Sequence, residues 1–257
     1  MNKNKFKNFP EVYYVSVIHS KDRRVILEEQ LNNCNIKNIN SLISTTESDN
    51  ENVVSGPFVY QLSYNHIGCI TSHLKAIKKW YMISESPYAV FFEDDISLET
   101  AEYWNFTWEE FMDNLPLDWE CIQLACIRDK DIQMNIKKRA WDDWSISAYM
   151  ITRDYAKRLL DAYYENDEFT LDLKNTIYWP VAENVIYFIG RTYTFPLLIE
   201  NLKFETVFEH RIADDIHNTM HLHSATFVLN WWKNNVDNDI KKLMDVKYYQ
   251  NNIEFNR

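Results

Sequence analysis

An apolar run that ends in three consecutive carboxylates constrains this chain more than any other feature. Residues 88–92, Tyr-Ala-Val-Phe-Phe, are mostly strand formers and follow a Ser-Pro pair, a pattern that predicts a short buried strand. Glu93, Asp94 and Asp95 come directly after it. Because an unpaired buried charge costs several kcal/mol or more, these carboxylates must face water or a cation.

The position of this acidic triplet favours a ligand site. In open α/β sheets the ligand crevice lies just outside the carboxyl ends of the strands. Glu93 and Asp95 point to the same side if the chain stays extended, and their oxygens suit a hard divalent ion, Mg²⁺ or Mn²⁺, that bridges to substrate phosphates. A solvated acidic loop after a strand is the alternative on the triplet alone.

The first half of the chain alternates between strand and helix patterns. Its periodicity predicts strands at 12–18, 39–44 and 88–92 and helices at 23–32 and 67–83, with 45–56 as a polar loop. The apolar side of the first helix is predicted to carry Val25, Ile26 and Leu31. Such a β-α-β-α-β order predicts an α/β fold with a parallel sheet and right-handed crossovers.

The second half is less regular. Strands are predicted at 119–124 and 146–152, and the polar, charged residues 125–144 between them are expected to form an exposed loop. The remaining predictions are helices at 153–164 and 183–189, the second ended by Gly190, an edge strand at 193–199 that contains Pro196, and a last amphipathic helix with Val228, Trp232, Val236 and Ile240 inward. Since no repeat or linker stands out, residues 1–257 are expected to form a single domain.

Charge and glycine content exclude several classes of protein. The net charge of −11 argues against a nucleic-acid partner, since such binding needs lysine and arginine to neutralise phosphates. With only three glycines, the chain has neither a GxGxxG turn nor a GxxxxGK[ST] phosphate loop. If it holds a nucleotide diphosphate, a metal and side chains must therefore replace backbone amides.

Cysteine spacing and hydropathy bear on the cellular compartment. The four cysteines, Cys34, Cys69, Cys121 and Cys126, show neither CxxC pairing nor metal-ligand spacing. No apolar signal segment stands at the N-terminus, and no apolar run approaches the ~20 residues that span a bilayer. We therefore expect reduced thiols and a cytoplasmic protein without a membrane span.

Four stretches within residues 12–165 resemble glycosyltransferase family 25, the lipooligosaccharide and procollagen galactosyltransferase type. Residues 67–76, Ile-Gly-Cys-Ile-Thr-Ser-His-Leu-Lys-Ala, are similar to the family's I-G-C-x-x-S-H-L-x-A helix start, and residues 88–96 to its L-V-L-E-D-D-V motif. Val17-Ile18 with the arginine-bearing helix after Asp22 resembles the family's opening, and residues 148–160 resemble its A-Y-L-I-S-x-x-x-A-x-x-L-L segment.

The resemblance implies a GT-A-like domain with a mostly parallel central sheet flanked by helices. It divides the chain into a nucleotide-sugar half at about 10–125 and an acceptor-side half at about 126–257. It also implies Mn²⁺ (or Mg²⁺) dependence and inverting transfer of a hexose from a UDP-sugar such as UDP-galactose or UDP-glucose. A glycan, a lipooligosaccharide or a hydroxylated protein is the expected acceptor. The transferred sugar, the acceptor and the oligomeric state stay open.

Roles are assigned to residues on the same basis. The metal is expected at Asp95 and Glu93, with a late histidine, His221 or His223, completing its shell. Glu183 is the expected general base, with Asp142 or Asp143 as second choice. Arg23, or less favourably Arg24, lies near the end of the first strand and is expected to meet the nucleotide's phosphate or base. The full set expected to bind the nucleotide sugar is Ile18, His19, Arg23, Gly68, Ser72, His73, Lys75, Glu93 and Asp94.

Two other functions account for part of the pattern. A two-metal phosphodiesterase or nuclease would use Glu93 and Asp95 with the acidic pairs at 142–143 and 214–215, but it leaves residues 67–74 unexplained. A catalytically silent homologue would use the same cleft only to recognise sugars.

Overall fold

The computed structural model describes residues 3–44, 53–55, 64–171, 181–201 and 214–246. The strands are β1 (Val12–Val17), β2 (Ile39–Ser44), β3 (Val53–Ser55), β4 (Tyr88–Glu93), β5 (Ile96–Ser97), β6 (Cys121–Gln123), β7 (Lys137–Lys138), β8 (Ala148–Thr152), β9 (Tyr164–Glu165), β10 (Glu168–Leu171), β11 (Thr192–Thr194) and β12 (Ile199–Glu200). The helices are α1 (Lys21–Asn33), α2 (Tyr64–Ile83), α3 (Trp108–Asp113), α4 (Arg153–Tyr163), α5 (Ala182–Tyr187), α6 (Asp214–Asn234) and α7 (Ile240–Leu243). None of the helices within these ranges is long and apolar enough to cross a membrane.

A seven-stranded, mostly parallel sheet forms the centre, in the order β2-β1-β4-β8-β6-β11-β7. Strands β8 and β7 run antiparallel to their neighbours, and the other pairs are parallel. Because β1 and β4 are parallel, their carboxyl ends lie at one edge of the sheet, and the segment that enters the antiparallel β8 arrives at the same edge. The α/β class and the mostly parallel sheet flanked by helices are confirmed.

Helices cover both faces of this sheet, which suits the near-continuous apolar strands of a parallel arrangement. Along β4, Val90 and Phe92 pack with α1 and α6, whereas Ala89 and Phe91 pack on the opposite face with α2, α4 and α5. This is the side-chain alternation expected of a strand. Burying each large apolar side chain contributes about 1.5–3 kcal/mol.

Several predicted boundaries are wrong in the first half. Helix α2 begins at Tyr64, three residues before the predicted start, so the motif around Gly68 lies within the helix and not at its first turn. In α1, Val25 is 45% exposed, and Leu27 and Leu31 are the buried residues. Residues 53–55 of the predicted polar loop form β3, and the rest of that loop lies outside the described residues.

The largest correction concerns residues 125–144, which were expected to be exposed. Ile127, Met134 and Ile136 are buried there, and β7 pairs with β11 at the end of the sheet. Charged side chains in this segment are neutralised by one another, which lets a polar sequence pack against the core.

Three further predictions in the second half are also wrong. Strand β11 pairs on both sides and is therefore not an edge strand; Pro196 lies beyond it. Helix α5 ends at Tyr187, and Gly190 has a negative φ, so it is not a left-handed cap. Val236 follows α6 and is 40% exposed.

Candidate functional site

The acidic triplet lies at the carboxyl edge of the sheet, as its sequence pattern predicts. Glu93 is the last residue of β4, and Asp94 and Asp95 form the turn into β5. Asp94 is buried and accepts a hydrogen bond of 2.5 Å from Ser16 Oγ on β1. This contact ties the triplet to the neighbouring parallel strand.

The two arginines of α1 take different roles. Arg23 Nη1 lies 3.1 Å from Asp95 Oδ2 and 3.5 Å from Asp94 Oδ1. Arg24 instead donates to the Ile18 carbonyl oxygen at 3.0 Å and also to the carbonyl of Val17, so it fixes the end of β1. The structure thus places Arg23, not Arg24, against the carboxylates.

Ile18 and His19, at the exposed turn between β1 and α1, flank this group of charges. They follow the strand whose carboxyl end contacts Asp94 through Ser16. The expected nucleotide-binding turn therefore lies at the same edge of the sheet as the triplet.

Glu200 joins the triplet although no sequence pattern had singled it out. It ends β12, which pairs with β5 directly after Asp95. Its carboxylate accepts a hydrogen bond of 3.0 Å from Ser145 Oγ and is in hydrogen-bond contact with Nδ1 of His221. Burial disfavours both charges, but their mutual contact prevails: it lowers the pKa of Glu200 and raises that of His221.

Glu183, the expected base, also lies beside the triplet. It stands in the first turn of α5, and its Oε1 accepts a hydrogen bond of 3.2 Å from the backbone N–H of Ser145. Ser145 has a φ of 92°, an unusual value for a residue with a side chain, and so holds two of the carboxylates from one strained position.

Burial and the neighbouring carboxylates disfavour the charges of Glu93 and Asp95. Burial, followed by the charges of Glu200, Asp94 and Glu183, raises the pKa of Glu93 from 4.5 to about 8. Burial and the charges of Glu93 and Glu200 raise the pKa of Asp95 well above its ordinary value. Asp95 Oδ1 is buried and has no hydrogen-bond partner. Arg23 and His221 offset only part of this negative charge, and an acidic cluster of this kind favours a bound cation.

His73 lies beneath the cluster and is completely buried in the middle of α2. Its Nδ1 is 3.0 Å from the hydroxyl oxygen of Tyr149, and its Nε2 is 3.5 Å from Glu93 Oε1. Burial lowers its pKa to about 3, so the imidazole is neutral. Ser72 is buried beside it, whereas Lys75, two residues along the helix, lies about half a turn away from His73.

Asp143 is held in a structural network. It is fully buried, and its carboxylate accepts hydrogen bonds from Arg128 at 2.8 Å and from Lys137 at 2.6 Å. Burial opposes ionisation, but the charge of Lys137 lowers the pKa of Asp143 below its ordinary value. Asp142 pairs with the same Arg128 at 2.6 Å. A carboxylate fixed in this way is poorly suited to accept a proton.

The two candidate histidines of α6 lie on different sides of that helix. The side chain of His221 contacts Glu200, whereas His223 is exposed and borders an apolar groove with Leu222 and Phe227. Two residues along a helix correspond to about 200°, which explains the separation. The side chains of Asp214 and Asp215, part of the alternative phosphodiesterase set, lie outside the described residues.

Three site residues were missed: Glu200, Ser145 and Cys69. Glu200 follows the apolar run 193–199 just as Glu93 follows its own strand, so the same rule could have found it. Cys69 and His73 are four residues apart on a helix, which places them on one face. Nothing in the local sequence indicates Ser145.

Comparison with known proteins yields a family match. The model of "Glycosyltransferase family 25 (LPS biosynthesis protein)" matches residues 9–173. No curated protein sequence matches the chain.

Solved structures give a more distant likeness. A197 from STIV is 10% identical, with a TM-score of 0.40 over 74% of this chain and 83% of that one. A glycosyltransferase involved in the glycosylation of the major capsid of PBCV-1 is 11% identical, with a TM-score of 0.38 over 73% and 82% of the two chains. HddC from Yersinia pseudotuberculosis is 12% identical, with a TM-score of 0.34 over 77% and 76%.

Proposed function

Since this chain belongs to glycosyltransferase family 25 and is a glycosyltransferase, we propose that it is a metal-dependent inverting enzyme with a GT-A fold. It moves a hexose from a UDP-sugar, such as UDP-galactose or UDP-glucose, to a hydroxyl group of a glycan, lipooligosaccharide or protein acceptor. The carboxylate cluster at the edge of the sheet is the observation that carries this proposal.

The cluster fits a hard divalent ion. The five carboxylates of Glu93, Asp94, Asp95, Glu183 and Glu200 converge there, and Asp95 Oδ1 is buried without a partner. Carboxylate oxygens are the ligands that Mn²⁺ and Mg²⁺ prefer.

We assign the ion to Asp95 and Glu93, with His221 as the histidine of the site. His221 also orients Glu200, with which it is in hydrogen-bond contact. Bound there, Mn²⁺ supplies positive charge that stabilises the departing diphosphate.

The protein's own groups complete the donor site. Arg23, which contacts Asp95 and Asp94 in the structure, binds the donor's phosphates as a fixed cation. The turn of Ile18 and His19 flanks the nucleotide. Glu183 accepts the proton of the acceptor hydroxyl, a contribution of typically about 10²–10⁴-fold to the rate. Its hydrogen bond from Ser145 N–H orients it for this role.

The test is the release of UDP from a panel of UDP-sugars with Mn²⁺, since donor hydrolysis needs no knowledge of the acceptor. We expect slow release with one hexose donor, none in EDTA, and a loss of roughly 100-fold or more in Asp95→Asn. Asp142→Asn is the matched control, because Asp142 pairs with Arg128 and is assigned here neither to the metal nor to the base, whereas the phosphodiesterase alternative requires it.

The outcomes separate the three functions. Hydrolysis of a phosphodiester that falls in both Asp95→Asn and Asp142→Asn would support the phosphodiesterase. Thermal stabilisation by a UDP-sugar without any release of UDP would support the silent homologue. Release of UDP that continues undiminished in EDTA would refute the metal-dependent mechanism.

A further inference from the structure

A second group of metal-ligating side chains lies against the acidic cluster. Cys69 and His73 are four residues apart on α2 and face Glu93 at the end of β4. Cys69 Sγ is 3.6 Å and His73 Nε2 is 3.5 Å from the same Glu93 Oε1, and the three ligand atoms all lie within 4.8 Å of one another.

An unpartnered nitrogen atom points into this group. His73 is completely buried, and its Nε2 has no hydrogen-bond partner. The other ring nitrogen is already engaged by the hydroxyl of Tyr149 at 3.0 Å. Metal-ligating histidines almost always have such a second contact, which fixes the ring and its tautomer.

We propose that Cys69, His73 and Glu93 form a zinc site. A thiolate, an imidazole and a carboxylate are a typical donor set for Zn²⁺, unlike the oxygen ligands preferred by Mn²⁺. Tetrahedral bonds of about 2.0–2.3 Å separate neighbouring ligand atoms by roughly 3.3–3.8 Å, and both contacts to Glu93 fall in this interval.

Zinc binding requires only local changes at the three ligands. On binding, the Cys69 thiol, and Glu93 where it is protonated, would each lose a proton to water as their bonds to zinc form. Cys69 and Glu93 are half-buried, which gives the ion a route from solvent to the site. His73 is buried and binds the ion from the interior side. A zinc ion there pins α2 to β4 directly beneath the donor site, and this proposal does not depend on the proposed transfer activity.

Cobalt substitution tests the site without any assay of activity. Full-length protein is stripped with a chelator and titrated with Co²⁺, and the absorption band of a cobalt–thiolate bond is recorded. We expect the band in the wild type and its loss in Cys69→Ser. Cys126→Ser is the matched control, because Cys126 Sγ likewise lies close to a carboxylate oxygen, at 3.7 Å from Asp143 Oδ1. This variant should leave the band unchanged.

A second variant tests the zinc site even if the Cys69→Ser protein does not fold. Tyr149→Phe removes only the hydroxyl that contacts His73, so the band should persist while the affinity for Co²⁺ falls roughly 10- to 100-fold. An equal affinity in Tyr149→Phe, no band in the wild type, or a band that survives Cys69→Ser would each overturn the proposal.

The zinc site and the proposed manganese site share Glu93, but Asp95 belongs only to the manganese site, so a variant of Asp95 distinguishes them. Asp95→Asn should keep the cobalt–thiolate band even though it should lose most of the release of UDP. If the wild type shows the band but releases no UDP from any donor, the transferase mechanism fails and the zinc site stands. Loss of the band in a folded Asp95→Asn protein would refute a site built from Cys69, His73 and Glu93.

Discussion

The charge of Glu93 in the metal-free protein offers a quantitative test of the acidic cluster. The pKa of Glu93 is about 8, compared with an ordinary value of 4.5, and each pH unit corresponds to about 1.4 kcal/mol. Ionising Glu93 therefore costs the folded state up to roughly 5 kcal/mol. We expect ~2–4 kcal/mol in measurement, because Asp95 shares in the proton binding and water reaches part of the side chain.

The sign follows from proton counting. Below about pH 4.5 the carboxyl group is protonated in both states, so Glu93→Gln changes the stability little. Between about pH 4.5 and pH 8 the unfolded chain releases this proton first, and the wild type loses stability as the pH rises. The Glu93→Gln variant lacks this loss, so its advantage in stability over the wild type grows between about pH 4.5 and pH 8 and is complete above about pH 8.

Urea unfolding followed by tryptophan fluorescence measures the effect, with EDTA present, between about pH 5 and pH 9. Glu85→Gln, at an exposed position, is the control and should follow the wild type. Excess Mn²⁺ or Zn²⁺ should reduce the difference, since a bound cation replaces the proton. If the free energies of unfolding of the wild type and Glu93→Gln depend on pH in the same way in EDTA, the raised pKa of Glu93 is refuted.

Three further substitutions test other parts of the structure. Asp143→Asn should lower the free energy of unfolding by about 2–4 kcal/mol in urea titrations, because it removes the buried carboxylate that Lys137 and Arg128 contact, although Arg128 keeps Asp142; a change below about 1 kcal/mol would contradict this network. Gly190→Ala would place a Cβ atom 2.9 Å from the ring of the buried Tyr155, so thermal unfolding should show a loss of about 1–3 kcal/mol, and an unchanged midpoint would argue against this close approach. His221→Ala should weaken Mn²⁺ binding roughly 10- to 100-fold by calorimetry while His223→Ala should not, and equal effects would remove His221 from the site.

Much of the fold could be predicted because its signals are local. Strand β4 is a short apolar run after a Ser-Pro pair, and its carboxylates follow the rule for the edge of an α/β sheet. Helix α4 follows from its periodicity, and in the structure Thr152 caps its start by accepting a hydrogen bond from the backbone N–H of Tyr155. Such patterns need no knowledge of distant residues.

The packing of residues 125–144 could not be predicted, because it depends on contacts between side chains and not on a local pattern. Arg128, Lys137 and Asp143 are hydrophilic when counted one by one, and only their mutual contacts allow Asp143 to be buried. A short stretch of sequence shows which residues are charged but not which of them form ion pairs.

Some residues of the candidate site could likewise be predicted from the local sequence, and others could not. Glu93 and Asp95 are visible from one strand, but Glu200 lies more than a hundred residues later and reaches them only because β12 pairs with β5. Ser145 shows no local signal at all, since its role depends on the loop that brings its backbone to Glu183.

The antiparallel course of β8 has a consequence for how this enzyme can diversify. The chain leaves β6 and re-enters β8 at the same rim of the sheet, and the backbone N–H of Glu93 donates to the Ser147 carbonyl at 2.8 Å on its return. The intervening excursion starts and finishes beside the carboxylates, and Ser145 near its end contacts two of them, Glu183 and Glu200. An insertion or deletion in this segment would therefore displace the support of both carboxylates, so we expect it to diversify through the side chains that it exposes at its surface, as loops on rigid scaffolds do.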